Sequence, residues 1–189
     1  MADILLFHHI QGLTDGVRAF ADELRRDGHT VHTPDLFEGR TFASIEEGLA
    51  YARETGFDTL AARGVAAADE LGSDLVHAGF SFGVTIAQRL AQTRPGARGA
   101  LLIYSCLPVS EFGDAWPEGV PVQIHGKEQD EFFDEDLPAA RALAESTPDA
   151  ELFLYPGEEH LFADSSTEGY DPDAAALLLS RVRTFLATL

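Results

Sequence analysis

Basic residues are scarce in this 189-residue chain: one lysine, Lys127, and twelve arginines stand against 32 aspartates and glutamates, a formal net charge of −19. A surface of that sign repels phosphate backbones and anionic lipid, which argues against nucleic-acid or membrane partners. Cysteine is nearly absent. With Cys106 alone no internal disulfide is possible, and a reducing cytoplasm is the expected compartment. No apolar run approaches the roughly 20 residues needed to span a bilayer. The opening "MADILLFHH" has no basic leader before its apolar run, so it reads as a first strand and not as a signal peptide. Metal and phosphate signatures are missing as well: there is no H-E-x-x-H, no cysteine cluster and no G-x-x-x-x-G-K-[ST]. Neither a metal nor a cofactor is expected.

What the chain does have is an ordinary apolar content of 45% and a regular alternation of strand-like and helix-like segments. Short β-branched or apolar runs fall at Ile4–His8, Thr30–Thr33, Leu75–Ala78, Ala100–Tyr104, Val120–His125 and Glu151–Tyr155. Between them lie helical patterns, the mark of βαβ units and a parallel sheet. Thr14 is a natural N-cap for "DGVRAFADELRR", and Gly28 stands where a left-handed residue closes a helix. Residues 44–72 carry two helical pieces broken near Gly56. Residues 137–146 form another helix, with Asp136 as its cap and Pro138 in its first turn. The last begins after Asp171 with Pro172 at its first position. No linker or repeat interrupts the pattern. The expectation is a single domain over residues 1–189, a three-layer α/β fold of about six mainly parallel strands with helices on both faces. In such sheets ligands sit at the carboxyl ends of the strands.

One of those ends carries "GFSFG", residues 79–83, between a strand pattern and a helix pattern. G-x-S-x-G suits a nucleophile on a strained turn, because bulky neighbours would clash with the adjoining strand and helix. The turn would lift the Ser81 hydroxyl into a cleft. It would also place the Phe82 N–H at a helix N-terminus, where an oxyanion is stabilised. A serine needs a base, and the base needs an acid to orient it. In this architecture the chain order is Ser, then Asp or Glu, then His.

"PGEEHLFAD" follows the strand ending at Tyr155 and supplies His160. "GKEQDEFFDED" follows the strand ending at His125 and supplies the acid. Six further histidines lie at His8, His9, His29, His32, His77 and His125, away from that order. Asp130, nearest the strand end, is favoured over Asp134, while Asp136 is assigned to the helix cap. A second oxyanion donor is expected from "HHIQGLTDG", through the N–H of Ile10 or Gln11. Phe112 and Trp116, in the long irregular stretch 105–119, are candidate walls of an acyl pocket. Cys106 lacks a glycine turn and reads as a small buried residue. His8 and His9, adjacent on a strand, point to opposite faces and are poorly placed to share a metal.

Taken in order, "HHIQGLTDGVRAFADELRRDGHTVHTPDLFEGR", "GFSFG", "IHGKEQDEFFDED" and "YPGEEHLFADSS" resemble the dienelactone hydrolase family of α/β-hydrolases over nearly the whole chain. "TPDLFEGR" and "YPGEEHLFAD" are the most telling pieces. Because the first strand directly precedes the oxyanion loop, a minimal α/β-hydrolase fold is expected, without the leading antiparallel strands of larger hydrolases or a separate lid domain. The resemblance implies cleavage of a small-molecule ester or lactone through an acyl-enzyme, and a monomer or homodimer is expected. It puts the nucleophile at Ser81, the acid at Asp130, the base at His160 and the oxyanion donors at Ile10 and Phe82. Three departures stand out. Serine replaces the cysteine that dienelactone-opening members typically carry, and His9 stands where many have glutamate. The stretch from Phe37 to Leu71 is short, leaving Arg40 as the candidate to read a substrate carboxylate. Thioester or peptide cleavage, or binding without turnover, are the alternatives.

Overall fold

In the computed structural model, which describes residues 1–189, the apolar runs become six strands. They are β1 (Asp3–Phe7), β2 (Thr30–His32), β3 (Leu75–Phe80), β4 (Gly99–Ile103), β5 (Val122–Lys127) and β6 (Ala150–Tyr155). They form one sheet in the order β2-β1-β3-β4-β5-β6, every neighbouring pair parallel. β3, β4 and β5 are buried at every position, as a parallel sheet covered on both faces requires, and β4, GALLI, reads accordingly as a continuous apolar run.

The period of two divides the coverings. Ile4, Leu6, Val76 and Leu101 face α1 (Asp15–Arg26) and α6 (Pro172–Leu186). Leu5, Phe7 and Leu75 face α2 (Ile45–Thr55), α3 (Phe57–Asp69) and α4 (Phe82–Thr93). Farther along that same layer, Leu102, Val122 and Ile124 pack on α5 (Glu131–Ser146). The result is the expected three layers.

Most helix ends obey local chemistry. The Thr14 hydroxyl accepts from the Val17 N–H at the start of α1, and Gly28 adopts φ +92° just past its end. Asp171 accepts from the Ala174 N–H, with Pro172 opening α6. Gly56 separates α2 from α3 at φ +93°.

One helix departs from expectation. α5 starts at Glu131, six residues before the predicted 137, and Asp130, not Asp136, caps it by accepting from the Phe132 N–H at 3.0 Å. Pro138 falls inside the helix. Asp136 instead accepts from the Ser105 hydroxyl at 2.6 Å and the Cys106 N–H at 3.2 Å, joining α5 to the segment after β4. A proline is most at home in a first turn, and that preference displaced the predicted start. The Asp130 side chain satisfies the true start.

Chain order reverses direction between β1 and β3, so the loops leaving their carboxyl ends splay apart and open a crevice there. The segment after β1 carries residues 8–14, and the turn after β3 carries Ser81.

Candidate active site

The β3–α4 junction leaves no room for side chains beside Ser81. A Cβ on Gly83 would lie 2.5 Å from the Phe7 carbonyl oxygen, and one on Gly79 would lie 2.6 Å from the Val84 nitrogen. Ser81 itself sits at φ +48°, ψ −112°, a region that L-residues seldom occupy and that costs on the order of 1–3 kcal/mol. Surrounding bonds hold it: its N–H donates to the Ile103 carbonyl at 2.7 Å, and its own carbonyl accepts from Val84 at 2.8 Å.

The turn points the hydroxyl at His160. Ser81 Oγ and His160 Nε2 are 2.8 Å apart, and His160 Nδ1 lies 2.6 Å from Asp130 Oδ2. An ionised carboxylate only accepts, so the Nδ1–H donates to Asp130 and Nε2 keeps its lone pair for the serine proton. The Asp130 side chain is 1% exposed, and its other oxygen holds the α5 cap. Capping and orienting are thus done by one rigid carboxylate. Asp134 lies one turn further along α5, exposed.

Neighbouring groups fix the loop that carries His160. Buried Lys127, at the end of β5, donates to Glu159 at 2.5 Å and Asp171 at 2.8 Å. Burial alone would lower its pKa, but these two carboxylates raise it above the usual lysine value. Tyr104, at φ +71°, accepts from the Ala163 N–H at 2.7 Å, and its ring lies 5.6 Å from the His160 ring. On the other side the Phe132 ring packs against His160, tilted by 43° with 4.8 Å between centroids.

Across the crevice, the Gln11 N–H donates to His9 Nδ1 at 3.2 Å, whereas the Ile10 N–H meets no acceptor in the chain. The Phe82 N–H is the first of α4, where no carbonyl one turn earlier belongs to the helix. Of the two donors weighed after β1, only the Ile10 N–H is therefore left without an acceptor in the chain. The loop is braced from behind: His9 Nε2–H donates to Asp164 Oδ2 at 2.7 Å, both side chains buried. Asp164 also accepts from the Thr14 hydroxyl at 2.5 Å and from the Ser166 N–H and hydroxyl at 2.8 and 2.6 Å. Burial would push this carboxyl up, but the hydrogen bonds from His9, Ser166 and Thr14 outweigh it and hold the pKa at about 2. A second His–Asp couple thus ties the loop after β1 to the loop after β6.

His8 turns elsewhere. Its Nε2 accepts from the Leu36 N–H at 3.1 Å and its Nδ1–H donates to the His9 carbonyl at 2.7 Å. Burial lowers its pKa to about 4. The two adjacent histidines share no partner atom.

None of the three pocket residues named from the sequence hydrogen-bonds or packs ring-to-ring on Ser81 or His160. The Arg40 guanidinium lies over the Tyr51 ring, 5.2 Å from its centroid, and Gly12 and Thr41 bridge the Arg40 segment to the loop after β1. Trp116, expected in an acyl-pocket wall, is buried with Val84, Ala100 and Val122, its indole N–H donating to the Val120 carbonyl at 2.6 Å. The start of β5 needed a cover, and Trp116 supplies it. Phe112 is half-buried at the end of a single 3₁₀ turn, Val109–Glu111. Phe132 and the His9–Asp164 couple were not singled out from the sequence. Phe132 lies two residues past Asp130, whereas 155 positions separate His9 from Asp164.

A doubly covered parallel sheet, a serine on a strained strand-to-helix elbow and a histidine–carboxylate pair from later loops define an α/β-hydrolase. The sequence pattern of the Dienelactone hydrolase family matches residues 2–189. The chain belongs to that family, whose members are ester-acting hydrolases. No curated protein matches it in sequence.

Solved structures share its fold. A dienelactone hydrolase from Anabaena variabilis superposes with a TM-score of 0.70 at 17% identity, over 100% of this chain and 86% of that one. A dienelactone hydrolase-like promiscuous phosphotriesterase from metagenomic libraries gives 0.74 at 19%, over 100% and 87%. A thioesterase domain from the curacin biosynthetic pathway gives 0.63 at 17%, over 96% and 90%. No helix is long and apolar enough to cross a membrane.

Proposed function

We propose that the protein is a serine hydrolase that cleaves small carboxylic esters or lactones through an acyl-enzyme. Ser81 Oγ attacks the acyl carbon while its proton passes to His160 Nε2. The tetrahedral oxyanion is received by the N–H groups of Ile10 and Phe82. Collapse breaks the acyl–oxygen bond, and the leaving oxygen takes the proton from His160. Water then attacks the acyl-Ser81 ester, giving its proton to His160. The acid departs and the proton returns to Ser81. Asp130 holds the imidazole in the required tautomer and stabilises the imidazolium without itself taking the proton.

The observation that carries this reading is the unbroken hydrogen-bond chain from Ser81 through His160 to a buried Asp130. Each member comes from the carboxyl end of a different strand. The chain is tested by turnover of phenyl acetate in wild type, Ser81→Ala and Asp130→Asn. Each variant should lose about 10³-fold or more in kcat, because members of such a unit do not act independently. Wild-type turnover by Ser81→Ala would remove the proposal.

A further inference from the structure

Three aromatic rings flank the Ser81–His160 pair and have no part in the proton relay. Phe132, 51% exposed, rests on the His160 ring at 4.8 Å. Phe57, 43% exposed at the start of α3, lies 6.0 Å from the ring of Phe82, the residue directly after the nucleophile. Phe82 continues into Phe37 at 6.2 Å, and so into the core. Exposing two large rings at the mouth of a crevice leaves apolar surface in water, an unfavourable arrangement that a bound apolar group relieves.

Charge on the His160 side of the same mouth is mostly negative. Segment 127–136 contains Glu128, Asp130, Glu131, Asp134, Glu135 and Asp136, and Glu158 and Glu159 directly precede His160. Its only base, Lys127, is occupied by Glu159 and Asp171. On the opposite side, Arg63 donates to the Leu36 carbonyl and pairs with Glu38, while Arg40 lies over Tyr51. Lys127, Arg63 and Arg40 are thus turned to the protein's own groups, while Glu128, Glu131, Asp134, Glu135 and Glu158 are exposed.

We propose that this hydrolase selects uncharged esters with apolar groups on both sides of the scissile bond, and that Phe132 and Phe57 set the choice. This rests on the serine-hydrolase reading above. The two rings take different parts of the substrate. His160 must stand beside the leaving oxygen to protonate it, so Phe132, packed against that imidazole, borders the alcohol portion. Phe57 and Phe82 border the side of the elbow that donates the Phe82 N–H to the carbonyl oxygen, and so meet the acyl chain. A substrate carboxylate would enter a field of like charge, at a cost that salt screens.

The test uses three matched pairs of esters. Phenyl methyl glutarate and the monoanion monophenyl glutarate share the scissile phenyl ester and differ at the distal end, a neutral methyl ester against a carboxylate. Phenyl acetate and ethyl acetate differ in the alcohol, and phenyl hexanoate and phenyl acetate in the acyl chain. At low ionic strength the neutral glutarate should exceed the anion in kcat/KM by about ten-fold, narrowing to about three-fold or less in 0.5 M NaCl. Phe132→Ala should reduce kcat/KM for phenyl acetate about 5–20-fold more than for ethyl acetate. Phe57→Ala should reduce the preference for hexanoate over acetate by a similar factor and leave the phenyl–ethyl ratio unchanged.

Both side chains are about half exposed, so truncation leaves the fold in place, and Ser81 labelling in each variant verifies this. Equal or better turnover of the anion at low salt, or losses of one size across all esters, would overturn the selectivity proposal. Ester turnover surviving in Ser81→Ala would instead strike at the catalytic reading beneath it.

Discussion

Replacing Asp164 with asparagine exchanges one oxygen for an amide group and removes a buried charge. In the wild type four donors converge on that carboxylate: His9 Nε2–H, the Thr14 hydroxyl, and the N–H and hydroxyl of Ser166. Asparagine offers one acceptor oxygen, so whichever way it turns, one pair of donors faces an NH₂. The carboxyl is held near 2 against an ordinary 3.8. That difference corresponds to about 2 kcal/mol of preference for the ionised form in the folded state. Unpaired donors next to it add a further ~1–2 kcal/mol.

A total of about 3–4 kcal/mol should lower Tm by about 6–16 °C in a chain of this size. The pH dependence follows from the lowered pKa. Ionised Asp164 stabilises the fold fully above the unfolded carboxyl pKa near 3.9, and that contribution is lost as pH falls from about 4 toward 2. Urea denaturation should therefore show a constant gap between wild type and variant from pH 5 to 8, closing below pH 4. Because His9 also holds the Gln11 N–H, kcat for phenyl acetate should fall with little change in KM. A Tm within 1 °C of wild type at pH 7, or a gap that widens on acidification, would refute the role given to this couple.

Two further outcomes concern stability and the elbow. His77 on β3 is fully buried with neither ring nitrogen hydrogen-bonded, and burial lowers its pKa to about 4. His77→Leu removes these unpaired groups and should raise stability by about 1–2 kcal/mol at pH 7. Neutral His77 costs the folded state more as pH falls from 6.5 toward 4, where the unfolded imidazole is charged, so the variant's advantage in urea midpoint should grow over that window. A lower midpoint than wild type would contradict the assignment. Gly83→Ala brings a methyl to within 2.5 Å of the Phe7 carbonyl oxygen, a backbone atom that cannot swing away. That variant should lose about 3 kcal/mol or more, or fail to accumulate as folded protein. Unchanged Tm with full ester turnover would mean that the junction yields.

Much of this site is legible in the chain because its members mark themselves locally. Gly79 and Gly83 bracket Ser81, and Asp130 and His160 each follow a recognisable strand, so the parallel sheet brings all three to one edge. The helix assigned to 137–146 shows where local signals mislead. Pro138 advertises a first turn, yet the helix starts at Glu131 because Asp130 completes a cap while also orienting the histidine. Trp116 misleads differently: an aromatic in a long loop suits a pocket wall as well as a lid on the sheet's other end, and only the packed chain distinguishes them. The His9–Asp164 brace was hidden for a third reason. Its residues come from opposite ends of the chain, and nothing in either neighbourhood announces the other.

The most direct measurement is the site and rate of modification by a fluorophosphonate, read by intact mass and peptide mapping. One adduct, on the peptide containing Ser81, is predicted in the wild type. It should form at least about 100-fold more slowly in Asp130→Asn and His160→Gln, and be absent in Ser81→Ala. An adduct on any other residue, or equal labelling rates in the Asp130 and His160 variants, would contradict the claim that these side chains activate one hydroxyl.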